Sequence, residues 1–203
     1  MKRTIAALAT VGMMMFAAGH AGAYQFSLGG TALPNEGLTS SQPGVTVTSF
    51  NDGLLPVAYQ GGAVVSGSVG AIHLQPAGDT SNYWTIGSDN PGPGIIQLAG
   101  LANYFGLHWG TMDSYNRLIL SRGGVDLVTI SGDQFAPDRE DYVNIFASNP
   151  GEYFDRVTFI STTNAFETDN HAFRLVPEPS SYAMMAAGLL LVGTIVRRRI
   201  KQQ

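Results

Sequence analysis

Leu118-Ile119-Leu120-Ser121-Arg122-Gly123-Gly124-Val125-Asp126-Leu127-Val128-Thr129-Ile130 places two strand-like runs on either side of a Gly-Gly pair. A two-residue turn between strands needs positive φ at both central positions, and glycine takes it without steric cost. The stretch therefore predicts a β-hairpin. Further short apolar or alternating runs lie on either side of it: Tyr24 to Leu28, Val45 to Phe50, Val69 to Leu74, Tyr83 to Ile86, Tyr104 to Trp109, Tyr142 to Phe146, Arg156 to Ser161 and His171 to Leu175. Pro43, Pro56, Pro76, Pro91, Pro93, Pro137 and Pro150 all fall between these runs, as strand pairing requires. Without a convincing amphipathic helix, the pattern predicts an all-β, antiparallel sandwich of jelly-roll type. The glycine- and proline-rich stretch Asp79 to Gly94 reads as a long loop within one domain. Trp109, Phe105, Phe154, Phe159 and Phe166 are the expected core aromatics. Tyr115-Asn116 and Asp169-Asn170 are expected to shape turns.

Charge is divided unevenly along the 203 residues. Six of the eleven basic residues, Lys2, Arg3, Arg197, Arg198, Arg199 and Lys201, lie outside the strand-rich region. Between Tyr24 and Val176 there are five Arg, no Lys and fourteen acids, a net charge of −9. Nucleic-acid binding is unexpected for such a surface, because phosphate neutralisation needs clustered Lys and Arg. The absence of cysteine excludes disulfides, thiolate metal sites and a cysteine nucleophile.

The flanks read as routing segments. Residues 1–23 carry Lys2 and Arg3, an apolar run from Ile5 to Ala18 and the small-residue ending Ala21-Gly22-Ala23, the order of a secretory signal peptide. The Sec translocon and signal peptidase are the implied partners, with cleavage after Ala23. Residues 24–175 form the expected ectodomain and 176–203 a second routing segment. There, Val176-Pro177-Glu178-Pro179 ends any strand, since proline lacks a donor and restricts its predecessor. Tyr182 to Val196 follows with fifteen uncharged residues, then Arg197-Arg198-Arg199. As a transmembrane helix this run covers roughly 22 Å, a minimal span. The arginines are expected to stay cytoplasmic. A simple C-terminal anchor is the alternative reading.

The order Pro177-Glu178-Pro179, short apolar helix, Arg197-Arg198-Arg199 closely resembles the PEP-CTERM sorting signal. The resemblance covers about the last 27 residues and implies recognition by an exosortase in a Gram-negative bacterium that makes exopolysaccharide. The inner membrane would then hold the precursor transiently, and the domain would pass to the cell surface or extracellular matrix. Two further stretches, Tyr104 to Asn116 and Phe154 to Val157 through Asn164 to Asn170, look like patterns of exosortase-dependent surface proteins. No catalytic residues travel with that resemblance.

Chemistry within the domain is sparse. His73, His108 and His171 stand in no HExxH pattern, and no GxSxG elbow, P-loop or dinucleotide fingerprint occurs. His108 reads as a strand residue with a satisfied ring, and a triad with Asp113 and Ser114 is not expected. Glu167-Thr168-Asp169 puts two acids on one face of an extended segment. Jelly-roll glucanases commonly carry Glu-x-Asp-x-x-Glu on one strand, and the third position here is Ala172. Glu167, Asp169 and Asn170 are candidate calcium ligands, or else cap a turn. Trp84 is a candidate sugar-stacking residue, or else a packing aromatic. The expected function is a non-catalytic surface or exopolysaccharide-matrix protein. The alternatives are a carbohydrate-binding module with structural calcium and, behind it, a glycan-active enzyme.

Overall fold

In this computed structural model the described residues are 24–135, 140–177, and Met184, Met185, Ala187, Leu189 and Leu190. The expected N-terminal signal, Glu178, Pro179, most of the expected 182–196 helix and Arg197 to Arg199 lie outside them. Met184, Met185, Leu189 and Leu190 are helical and exposed. Among the described residues no helix is long and apolar enough to cross a membrane.

The hairpin forms where the glycine pair places it. Gly123 and Gly124 take φ of +56° and +82°, the positive values a tight two-residue turn demands. They join β9 (Asn116–Arg122) to β10 (Val125–Ser131), with a bulge between Asp126 and Val128. Leu118 and Leu120 point inward from β9, so alternation along the strand supplies one apolar face.

In chain order the preceding strands are β1 (Gln25–Leu28), β2 (Thr31–Ala32), β3 (Leu38–Thr39), β4 (Thr46–Thr48), β5 (Tyr59–Gln60), β6 (Ala63–Ser66), β7 (Asn82–Ile86) and β8 (Gly94–Trp109). After the hairpin come β11 (Asp141–Phe146), β12 (Phe154–Ser161) and β13 (Phe166–Leu175), with 3-10 turns at Gly132–Gln134 and Pro150–Glu152. Among the described residues β2 and β3 pair only with each other. The other eleven strands form one curled sheet whose main path runs β10-β9-β12-β8-β13-β7-β6. Every strand pairing among the described residues is antiparallel. The all-β expectation holds, but the ladders join into a single sheet, and the sandwich is not established as two separate ones.

β8 makes this continuity. Its first half pairs with β12 and β5, and its second half, from Ala102 onward, pairs with β11 and β13. Changing partners halfway lets one sixteen-residue strand serve both sides of the curl. The sequence reading starts this strand ten residues late, at Tyr104. Residues 94–103 lack clean alternation in sequence, because Ile95, Ala99 and Leu101 put apolar side chains at the less buried positions as well. The supposed 79–94 loop likewise contains β7, whose Tyr83, Trp84 and Ile86 are fully buried. Val69 to Leu74 is a turn instead of a strand: Gly67 and Gly70 adopt φ of +66° and +45°, and Val69 and His73 form only an isolated bridge.

The core is aromatic. Phe50, Trp84, Phe105, Trp109, Phe154, Phe159 and Phe166 are all fully buried, so the five expected aromatics lie where they were placed. Trp109 stacks on Phe166 at 4.5 Å, and Trp84 meets Phe159 edge-on at 5.1 Å. The opposite face of β8 and β11 carries Tyr104, His108, Tyr142 and Asn144, beneath a wrap of chain formed by Gly29 to Ser40 and the 78–81 segment beside it.

Candidate functional site

β13 decides which face each of its acids occupies. Asp169 opposes His108 on β8, whereas Ala172 opposes Gly106, so the strand holds one residue more than its partner. Asn170 absorbs that residue with φ of +50°, a left-handed value asparagine tolerates better than most side chains. The bulge resets the alternation. Phe166 and Thr168 face the core before it, and His171 and Phe173 face the core after it. Without the bulge His171 would fall on the outer face. The expected turn at Asp169-Asn170 is therefore a bulge inside a continuous strand.

His171 is fully buried among Phe50, Tyr59, Trp84, Phe105 and Phe159. Its Nδ1 lies 3.1 Å from the Tyr59 hydroxyl and its Nε2 lies 2.8 Å from Thr168 Oγ1. Burial pushes its pKa down to about 3, so the ring stays neutral across physiological pH. Sequence reading gave this residue no role; the preceding asparagine, a residue type that tolerates positive φ, was the one faint hint.

On the outer face, His108 Nδ1 accepts the Leu38 N–H at 3.3 Å. Burial lowers its pKa, against the opposing pull of Asp79 and Asp141. The satisfied strand histidine expected from sequence is what forms. Gly37 lies directly over this ring with φ of +65°, and a Cβ there would stand 2.4 Å from Nδ1.

Asp169 is fully buried, and neither carboxylate oxygen meets a hydrogen-bond donor in good geometry. Burial raises its pKa to about 8; the nearby N–H groups of Asn170 and Phe50 oppose the rise, and the Asp79 carboxyl adds to it. Asp79 is itself 2% exposed. Its Oδ1 accepts the Ser81 N–H at 2.8 Å and the Ser81 hydroxyl at 2.6 Å, whereas its Oδ2 has no partner. This neighbour comes from the loop before β7, ninety residues away in sequence.

Glu167 is also buried, but its Oε1 accepts the Leu74 N–H at 2.8 Å and so ties the 67–74 turn to β13. Burial raises its pKa, with Asp113 and Glu140 adding to the rise. It lines a cleft of about 240 Å³ with His73, Thr111, Asp113, Tyr115 and Asn164. The Asn170 amide donates to the carbonyls of Glu36 at 2.6 Å and Leu38 at 3.2 Å. Glu167 thus reaches the 67–74 turn, whereas Asp169 and Asn170 both lie under the chain around Gly37, so the three do not converge on one point. Among the described residues no group of three or more His, Cys, Asp or Glu is placed to hold a metal ion.

Trp84 requires a correction. Its indole is fully buried against Phe50, Tyr59 and Phe159, and its Nε1 donates to Gly61 O at 3.0 Å. No ring face is left for a sugar. The polar residues around it in sequence belong to the loops that flank β7, which is itself central to the sheet.

The routing segment begins where the sheet ends. β13 closes at Leu175, and Val176 N–H donates to Leu101 O at 2.7 Å. The next residue, Pro177, is exposed and has no N–H to offer. No match was found among the curated proteins or the solved structures. Residues 175–199 match the family described as the PEP-CTERM protein-sorting motif. The chain carries a PEP-CTERM sorting signal, which marks an exported, membrane-anchored precursor of a Gram-negative surface protein whose processing partner is an exosortase.

Proposed function

We propose that residues 24–175 are a non-catalytic display domain, delivered to the cell surface or the exopolysaccharide matrix. In this reading the Sec translocon exports the chain and signal peptidase cleaves after Ala23. The 182–196 helix then holds the precursor in the inner membrane with its domain periplasmic, and Arg197 to Arg199 keep the tail on the cytoplasmic side. The exosortase recognises Pro177-Glu178-Pro179 and releases the domain from the helix.

The observation that carries this reading is the junction at Val176. Its bond to Leu101 is the last main-chain hydrogen bond of the β domain among the described residues, and Pro177-Glu178-Pro179 follows at once. Cleavage anywhere beyond Pro177 would leave every ladder intact. The curl of the sheet, which closes over its own aromatic core like a sandwich, supports a domain stable without its tail. The lack of catalysis is supported by Ala172 at the third acid position and by His108 being committed to a main-chain donor. Mass spectrometry of surface-associated protein tests the proposal: the mature chain should end before Arg197. An intact tail on surface material would overturn it.

A second reading, a carbohydrate-binding module, draws support from the cleft lined by Glu167, Asp113 and His73. Titration of the protein with the host's own exopolysaccharide tests it. Absence of binding there would remove the main reason to hold it.

A further inference from the structure

Asp79 and Asp169 face each other beneath the chain around Gly37, at 2% and 0% exposure. Three of their four carboxylate oxygens, Asp79 Oδ2 and both oxygens of Asp169, have no donor. Two ionised carboxylates buried side by side repel each other and lose hydration, a costly arrangement unless something neutralises them. The main-chain N–H groups of Asn170 and Phe50 lie near Asp169 without bonding its oxygens in good geometry, and the other donors around the pair are engaged elsewhere. Ser81 spends both of its donors on Asp79 Oδ1, the Leu38 N–H goes to His108, and the Asn170 amide goes to the carbonyls of Glu36 and Leu38. The domain has no lysine, and Arg122, Arg156 and Arg174 donate to Pro150, Gln97 and Asn103.

We propose that a calcium ion binds between Asp79 and Asp169 and clamps the loop before β7 onto β13. The donor set argues for the metal. Both identified side-chain ligands are carboxylates, there is no thiolate, and the adjacent His108 Nδ1 is already an acceptor for a main-chain N–H. That favours a hard, oxygen-seeking cation over zinc. A shared proton is the competing occupant, but one proton satisfies only part of the deficit of three oxygens. A divalent ion neutralises both charges and takes all three, with main-chain carbonyls and water completing its shell. The site differs from the trio suggested by sequence: Asp169 is common to both, and Asp79 replaces Glu167 and Asn170. It is independent of how the tail is processed.

The test uses the full-length chain in detergent, stripped with a chelator and then given calcium chloride. Calcium at about a hundredfold its dissociation constant should raise Tm by roughly 5–10 °C. Titration calorimetry should show one calcium per chain. Asp169→Asn and Asp79→Asn should each abolish the shift. Asp169→Asn should melt in chelator no lower than the unmodified protein, which separates lost binding from failed folding. Glu167→Gln should keep the full shift. No calcium response in the unmodified protein would overturn the proposal and assign the pair to a shared proton. A response that survives both Asp variants would overturn it as well.

Discussion

His171 and Phe159 stack with ring planes 11° apart and centroids 5.5 Å apart, so an ionisable ring serves as a core aromatic. The arrangement works because Tyr59 and Thr168 supply polar partners at the ring's two nitrogens. His171→Leu keeps the apolar contacts but strands those hydroxyls, and should cost about 1–3 kcal/mol in urea unfolding. The same substitution should weaken the acid limb of the stability profile. A pKa held at about 3, below the ordinary 6.5, means the unfolded chain binds the extra proton between those values. Stability therefore rises with pH across that window, and His171→Leu should flatten the rise in melting scans from pH 3 to 6.5.

Asp169 acts with the opposite sign. Its pKa of about 8, against an ordinary 3.8, means the folded protein holds a proton that the unfolded chain releases. Its stabilising contribution is complete below pH 3.8 and is lost as pH rises toward 8. The gain from His171 has ended by pH 6.5, so the loss should show between 6.5 and 8. In chelator, Tm should fall across this interval, and Asp169→Asn should reduce the fall. The groups that share this environment are Asp79, Asp141 and His108. A Tm in chelator that is flat or rising from pH 6.5 to 8 would contradict the raised pKa.

Gly37→Ala should destabilise the domain by about 2–4 kcal/mol, combining a left-handed backbone with a methyl group driven into the His108 ring. Equilibrium urea unfolding gives the number. A change below about 0.5 kcal/mol would show that the chain over His108 is looser than its geometry indicates.

Glu167 should separate acceptor chemistry from charge. Glu167→Gln retains an oxygen for the Leu74 N–H, whereas Glu167→Ala removes it. Hydrogen exchange at Leu74 should accelerate about tenfold in the alanine variant, matching a lost hydrogen bond of about 1.4 kcal/mol, and change little in the glutamine variant. Equal acceleration in both would assign the effect to charge.

How much of this was legible in the sequence depended on distance along the chain. Gly123-Gly124 announces the hairpin because turn geometry is local, and Pro177-Glu178-Pro179 announces the end of the sheet for the same reason. The first half of β8 stayed hidden because Ile95, Ala99 and Leu101 are apolar at its less buried positions, which erases the alternation that marks a strand. Glu167 and Asp169 were recognisable as two acids on one strand, yet their partners were not, since Leu74 and Asp79 are brought in by the wrap. Trp84 looked peripheral among polar neighbours, and only the pairing of β7 with β6 and β13 makes it central. The bulge at Asn170 was least visible of all. A single residue in a left-handed conformation leaves almost no pattern, although it determines which way His171 points.

The junction at Val176 also has a mechanical side. Any pull through residues beyond Val176 enters the domain along β13, which is gripped by β8, β7 and β4. Antiparallel ladder bonds lie across the strand, so tension along β13 loads many of them together in shear instead of peeling them one at a time. A pull on the C-terminal segment is therefore taken up by one of the most extensively held strands and shared across the sheet.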